Sequence, residues 1–142
     1  MQTEFFAPMI PPTITDQMKR IGIRDDGSVY KYQAAELKDA QSMLEAHLAK
    51  HVPVAPYNVG VRMVTKWCFP RGMHKDGEYR TTKPDTDNLQ KMLKDVMTRL
   101  GFWKDDALVA SDFCEKFWAE IPGIYIKIQP LAEIGEAHAA NR

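Results

Sequence analysis

A chain of 142 residues, 44% of them hydrophobic, is one domain's worth and can bury a core without help from disulfides or metals. Cys68 and Cys114 form no CxxC and the chain has only four histidines, which excludes a disulfide scaffold and a zinc knuckle and points to a reducing compartment. No apolar run approaches the roughly 20 residues of a bilayer span, and the opening MQTEFFAPMIPP lacks the basic start and long apolar stretch of a secretory signal. The expectation is a soluble, cytoplasmic protein with no membrane partner.

The balance of 19 basic and 19 acidic groups conceals their arrangement. Residues 1–49 carry 5 basic and 7 acidic groups, residues 50–104 carry 11 and 5, and residues 105–142 carry 3 and 7. A basic middle segment can bind a polyanion even on a neutral protein. On charge alone it reads equally well as solvated surface.

In chain order, a first strand is predicted from Glu4 to Ile10, ending at Pro11-Pro12. Residues 21–30 hold an Asp-Gly turn between short apolar stretches, which reads as a small hairpin or a loop. Leu37, Ala40, Leu44 and Leu48 give a helical period over Tyr32 to Lys50. Residues 57–69 alternate, with Val59, Val61, Met63, Thr65, Trp67 and Phe69 on one side, the period of a half-buried strand. A polar stretch from Arg71 to Thr82 follows as an exposed loop. Leu89, Met92, Leu93, Val96, Met97 and Leu100 then form one apolar helix face, closed by Gly101. Strands follow at Leu108 to Trp118 and, after Pro122-Gly123, through Ile124, Ile126 and Ile128, while residues 131–142 read as a poorly specified tail. The order β-α-β-α-β-β predicts a single α+β domain over 1–142, a mixed sheet with two main helices packed on it.

The chemistry concentrates where the second helix begins. In KPDTDNLQK, Asp85 and Asp87 stand at i and i+2 on an extended approach, with Asp87 placed as a natural N-cap. Asp105-Asp106 lies beyond the helix, and returns to its start only if the next strand runs back along it. Three carboxylate sites completed by water suit magnesium or manganese. The alternatives stay open: Asp87 with Gln90 also reads as a capping box, Asp105-Asp106 as a polar turn, and Lys91 as an i,i+4 ion-pair partner of Asp87. His47 and His51 fit favourable contact with a helix C-terminus better than a metal pair. Trp67, Phe69, Trp103, Phe113 and Trp118 read as core or interface rather than base-stacking groups.

The run KPDTDNLQKMLKDVMTRLGFWKDDALVASDFCEKFW resembles the signature of RusA-type Holliday junction resolvases of bacteria and their prophages, in which D-x-D-N-L-x-K opens a helix and W-x-D-D ends the following turn. The strong part covers residues 83–118. The resemblance implies a homodimeric, Mg²⁺-dependent endonuclease (Mn²⁺ as substitute) that cuts opposed strands of four-way junction DNA in recombination and repair. It makes Asp85, Asp87 and Asp106 the metal-binding and catalytic carboxylates and Lys91 the essential lysine, leaving Asp105 unassigned. Arg71, Lys75, Arg80 and Lys83 are candidate DNA contacts. Two other classes fit the same residues: a non-catalytic DNA-binding accessory protein of phage recombination, and a metal-dependent nucleotide phosphohydrolase. A surplus of large apolar groups, with Val64 and Cys68, and Val109, Phe113 and Phe117, on second strand faces, adds to the expectation of an isologous dimer.

Overall fold

The alternation in the third predicted strand builds the centre of the molecule. Val61, Met63, Thr65, Trp67 and Phe69 are each at most 1% exposed, while the residues between them are half-buried or open to solvent. The computed structural model describes residues 1–14, 20–32 and 35–134. Its elements are β1 (Thr3–Pro8), β2 (Arg20–Ile23), β3 (Val29–Tyr32), α1 (Ala35–Leu48), β4 (Val61–Pro70), α2 (Thr86–Leu100), β5 (Val109–Ala119) and β6 (Gly123–Pro130). Short 3₁₀ turns follow α1 at Ala49–His51 and precede β5 at Asp106–Leu108.

β6 lies antiparallel to both β1 and β4, and β4 pairs with β5 in parallel, giving the sheet order β1-β6-β4-β5. Parallel neighbours need a crossover, and α2 supplies it. The result is a small α+β domain with a mixed sheet. It differs from the expected order by one insertion, because β2 and β3 pair as a separate ribbon. The Asp-Gly turn closes that ribbon: Gly27 takes φ 86° and the Ser28 N–H donates to Asp26 Oδ1 at 2.8 Å.

Both helices pack on one face of the sheet. Leu37, Leu44 and Leu48 of α1 and Leu89, Met92, Leu93, Val96 and Met97 of α2 are fully buried with Ile124, Ile126 and Ile128 of β6. Each such side chain contributes about 1.5–3 kcal/mol. The opposite face of β4 and β5 carries Val64, Cys68, Phe113 and Phe117, and Phe113 is 51% exposed rather than in the core. Val59, expected to point inward, lies before β4 and is also exposed. Trp67, Phe69 and Trp103 are core residues as expected, and Trp118 is half-buried. The tail expected beyond Pro130 falls largely on residues 135–142, outside the described residues.

Gly101 ends α2 in the left-handed region at φ 91°, with its N–H on the carbonyls of Met97 and Thr98. Gly123 is required for a different reason: a Cβ there would stand 2.6 Å from the Ala7 carbonyl oxygen and closer still to Phe6 Cζ, where β1 pairs with β6. Gly123→Ala should therefore lower stability by about 1–3 kcal/mol by pushing β1 off the sheet. A denaturant midpoint equal to that of the parent would show that β1 yields without cost.

Candidate active site

α2 begins two residues earlier than its apolar period implies. Asp85, with φ −74° and ψ 148°, is the N-cap residue, and its carbonyl accepts the Leu89 N–H. Its carboxylate makes no capping bond. Asp87 therefore sits inside the first turn, where the helix dipole favours a negative charge. The capping box does not form, because Gln90 points into the sheet and is 5% exposed. Gln90 Oε1 accepts the Trp67 indole N–H at 3.0 Å, and its Nε2 donates to Asp112 Oδ1 at 2.7 Å and to Thr65 Oγ1 at 3.3 Å. Lys91 is exposed and makes no ion pair with Asp87.

The approach to α2 is braced from behind. Lys116 Nζ donates to the carbonyls of Thr82 at 2.7 Å and Pro84 at 2.8 Å, two of the three carbonyls just ahead of Asp85. The Arg80 guanidinium stacks over Phe69 at 4.3 Å and Trp118 at 4.5 Å and also donates to the Lys83 carbonyl, and burial pushes its pKa down. Backbone bonds then zip the loop onto the outer edge of β5: Gly77 N–H to Trp118 O at 2.8 Å, Trp118 N–H to Glu78 O at 2.7 Å, and Arg80 N–H to Lys116 O at 2.9 Å. Arg71 is held by Glu120 and by the His74 carbonyl. Of the four cations considered for DNA contact, Arg71 and Arg80 thus brace the loop, while Lys75 and Lys83 are exposed.

A pocket of about 280 Å³ opens beside the first turn of α2, lined by Thr86, Asp87, Gln90, Lys94, Asp112 and Cys114. Lys94 pairs with Asp112 at 3.1 Å. Burial, aided by the charge on Asp112, pushes the Cys114 thiol up to about 12, so it lines the pocket as a neutral group and not as a nucleophile. Iodoacetamide should accordingly leave it unmodified in the folded protein and label it after denaturation; fast labelling of the native chain would contradict this environment.

Asp106 lies elsewhere. It opens the 3₁₀ turn before β5, where Asp105 Oδ1 accepts the Ala107 N–H at 3.0 Å, so Asp105 has a turn-forming role. The strand does run back along α2, but from Val109 opposite Val61 to Lys116 at the start of the helix. Asp106 precedes that run, at the opposite end of β5 from the strand residue that braces the start of α2. β5 instead carries Asp112 to the pocket. His47 and His51 are engaged separately, His47 Nδ1 with the Met43 carbonyl at 2.9 Å and the His51 ring on Phe5 at 4.1 Å.

Among the described residues no three His, Cys, Asp or Glu side chains gather around one point. Asp85 and Asp87 nevertheless fit a magnesium ion, which takes one or two carboxylates and fills its octahedron with water and phosphate oxygens. The family model of endodeoxyribonuclease RusA matches residues 12–129. The chain belongs to the RusA endodeoxyribonuclease family. No curated protein matches it. The RusA match reaches well beyond the run at 83–118, taking in α1, α2 and β2 to β5.

In this RusA chain the residues that sequence reasoning missed are Gln90, Lys94, Asp112 and Lys116. Gln90 had a signal: it is three residues before Leu93 and seven before Met97, on the buried stripe of α2. Asp112 and Lys116 share the parity of Cys114 and Trp118, which marks the helix-facing side of β5.

Proposed function

We propose that this chain is a Mg²⁺-dependent, homodimeric endodeoxyribonuclease that resolves four-way DNA junctions by paired nicks, acting in DNA recombination and repair. One observation carries the reading. The carboxylates of Asp85 and Asp87, at the end of a loop braced by Lys116 and Arg80, accept no hydrogen bond or ion pair from any described residue, although they stand together at one helix terminus. Carboxylates used only as structure would be spent on the backbone, as Asp105 is.

Asp85 and Asp87 would hold the cation, with Mn²⁺ able to replace Mg²⁺. When bound it supplies charge neutralisation at the phosphate and an acidified water. The N-terminal N–H groups of α2 favour a phosphate at the same place. Lys91, one turn further along, extends a mobile ammonium toward the non-bridging oxygens. Water oxygen bonds to phosphorus as the P–O3′ bond breaks, leaving a 5′-phosphate and a 3′-hydroxyl. The basic segment 50–104 contributes sequence-independent backbone affinity.

A junction presents two equivalent strands, and a two-fold dimer sets one site on each. Because Asp106 stands at the far end of α2 within one chain, it joins Asp85 and Asp87 only when a second copy supplies it. Mixing Asp87→Asn and Asp106→Asn chains tests this: a site built across two chains regains one intact centre and nicks one strand, whereas a site within one chain gives no cutting. The primary assay is a labelled mobile four-way junction with Mg²⁺ or EDTA, read on native and denaturing gels. Symmetric paired nicks in Mg²⁺ alone are expected. Binding without cutting would replace this reading with an accessory protein, and turnover of small nucleotides alone with a phosphohydrolase.

A further inference from the structure

The sheet face turned away from the helices carries a second concave surface, a groove of about 410 Å³ over β5, β4 and β6. Its charges are uneven. Arg62, Lys66 and Lys127 line it against a single carboxylate, Glu115, which already accepts the Tyr79 hydroxyl at 2.7 Å. Arg62 and Lys66 lie on β4, and Lys127 pairs opposite Val64 between them on β6. The three cations thus step along the sheet at intervals of about 8 Å, close to the stride of an extended nucleotide chain.

Aromatic faces stand beside these cations. Phe113, on the edge strand and 51% exposed, pairs opposite Val64, and the Arg62 guanidinium lies 5.1 Å from its ring centre. Arg62 Nε is fixed by Ser111 Oγ at 2.8 Å, which orients the guanidinium over the ring and leaves its Nη groups for an incoming oxygen. Lys66 is set over the Tyr125 ring at 5.5 Å. A basic groove flanked by aromatic platforms is the arrangement that holds unstacked strands.

We infer that this groove binds a single strand of nucleic acid, with phosphates on Arg62, Lys66 and Lys127 and a base stacked on Phe113. The inference rests on the junction-cleaving reading and adds to it the place of a strand unpaired at the branch point. The alternation of β5 makes the two surfaces neighbours: Asp112 and Cys114 face the pocket beside α2, and Phe113 and Glu115 face the groove. A strand leaving the groove over the edge of β5 reaches Asp87.

The charge layout disfavours a second copy as the occupant. Its cations lie on the two central strands, while Glu4 and Glu115 lie on the edge strands and are engaged by the hydroxyls of Tyr125 and Tyr79. Packing two such faces would bury the cations of both copies at the core of the interface, where lysine is depleted because its desolvation goes uncompensated.

The test is fluorescence anisotropy of the full chain in EDTA with labelled oligothymidylate, a duplex of equal length and a four-way junction, beside the cleavage assay. Phe113→Ala should weaken oligothymidylate roughly 5- to 150-fold and leave the duplex unchanged, and Phe113→Trp should restore it. The double change Lys66→Gln with Lys127→Gln should reduce the salt slope by about 1.4. These side chains are outside the core, so melting temperatures should stay at the parent value. Variants that bind oligothymidylate and junction like the parent overturn the inference, as does a double variant whose sedimentation changes from dimer to monomer. A parent that cuts junctions without binding oligothymidylate removes this inference alone; one that neither binds nor cuts any DNA removes the nuclease reading with it.

Discussion

Asp87→Asn will lower junction cleavage at least about 100-fold while the protein stays folded and bound to DNA. The Asp87 carboxylate accepts no bond from a described residue and Asp87 is not the helix cap, so removing the charge leaves no partner stranded. What α2 loses is one favourable charge near its N-terminus, about 0.3–1 kcal/mol. The amide keeps the shape of the carboxylate but is a poor ligand for a hard cation. Junction affinity in EDTA should hold or rise, since one negative charge fewer faces the phosphates. Cleavage by the variant near the parent rate in Mg²⁺ would return Asp87 to a purely helical role.

Gln90→Leu should be the most destabilising single change near the site, by about 2–4 kcal/mol, or roughly 5–15 °C in Tm. The side chains are of similar size, so packing is not what is lost. Gln90 joins three elements: it accepts from Trp67 on β4 and donates to Thr65 on the same strand and to Asp112 on β5. Leucine strands the buried indole N–H and removes one of the two partners of Asp112, leaving it Lys94. Thermal melts measure the cost. A variant melting within a degree or two of the parent would mean that water replaces the amide in full.

Much of this architecture is legible in the sequence because two periods are strong. The 3.6-residue stripe of α2 and the two-residue alternation of β4 and β6 are each driven by burial against the same core, so pattern and fold agree at Leu93, Met63 and Ile126. Helix ends are less legible. The N-cap falls on Asp85 and not on Asp87 because the helix can start as soon as the chain leaves Pro84, a local choice that no apolar residue reports. The candidate site splits on the same ground. Asp85 and Asp87 are neighbours in the chain, so their proximity needs no topology, whereas the place of Asp106 depends on which end of β5 meets the start of α2. That is fixed by parallel pairing with β4, a long-range fact. Gln90 is polar at a buried position, and that Asp112 is its partner shows only once strand parity and helix phase are superimposed.

The zipper between the loop after β4 and the outer edge of β5 has a consequence for solubility. β5 has a sheet partner on one side only, and eleven residues with one open row of amide and carbonyl groups would template addition of a foreign strand. Gly77, Glu78 and Arg80 occupy that row over its C-terminal half, at Lys116 and Trp118. The segment that presents Asp85 is thus also the guard of this edge. Trimming it to simplify the nuclease would cost more than activity, because the shortened chain would expose Phe117 and Trp118 together with an unpaired backbone and would tend to form intermolecular β-structure as its concentration rises.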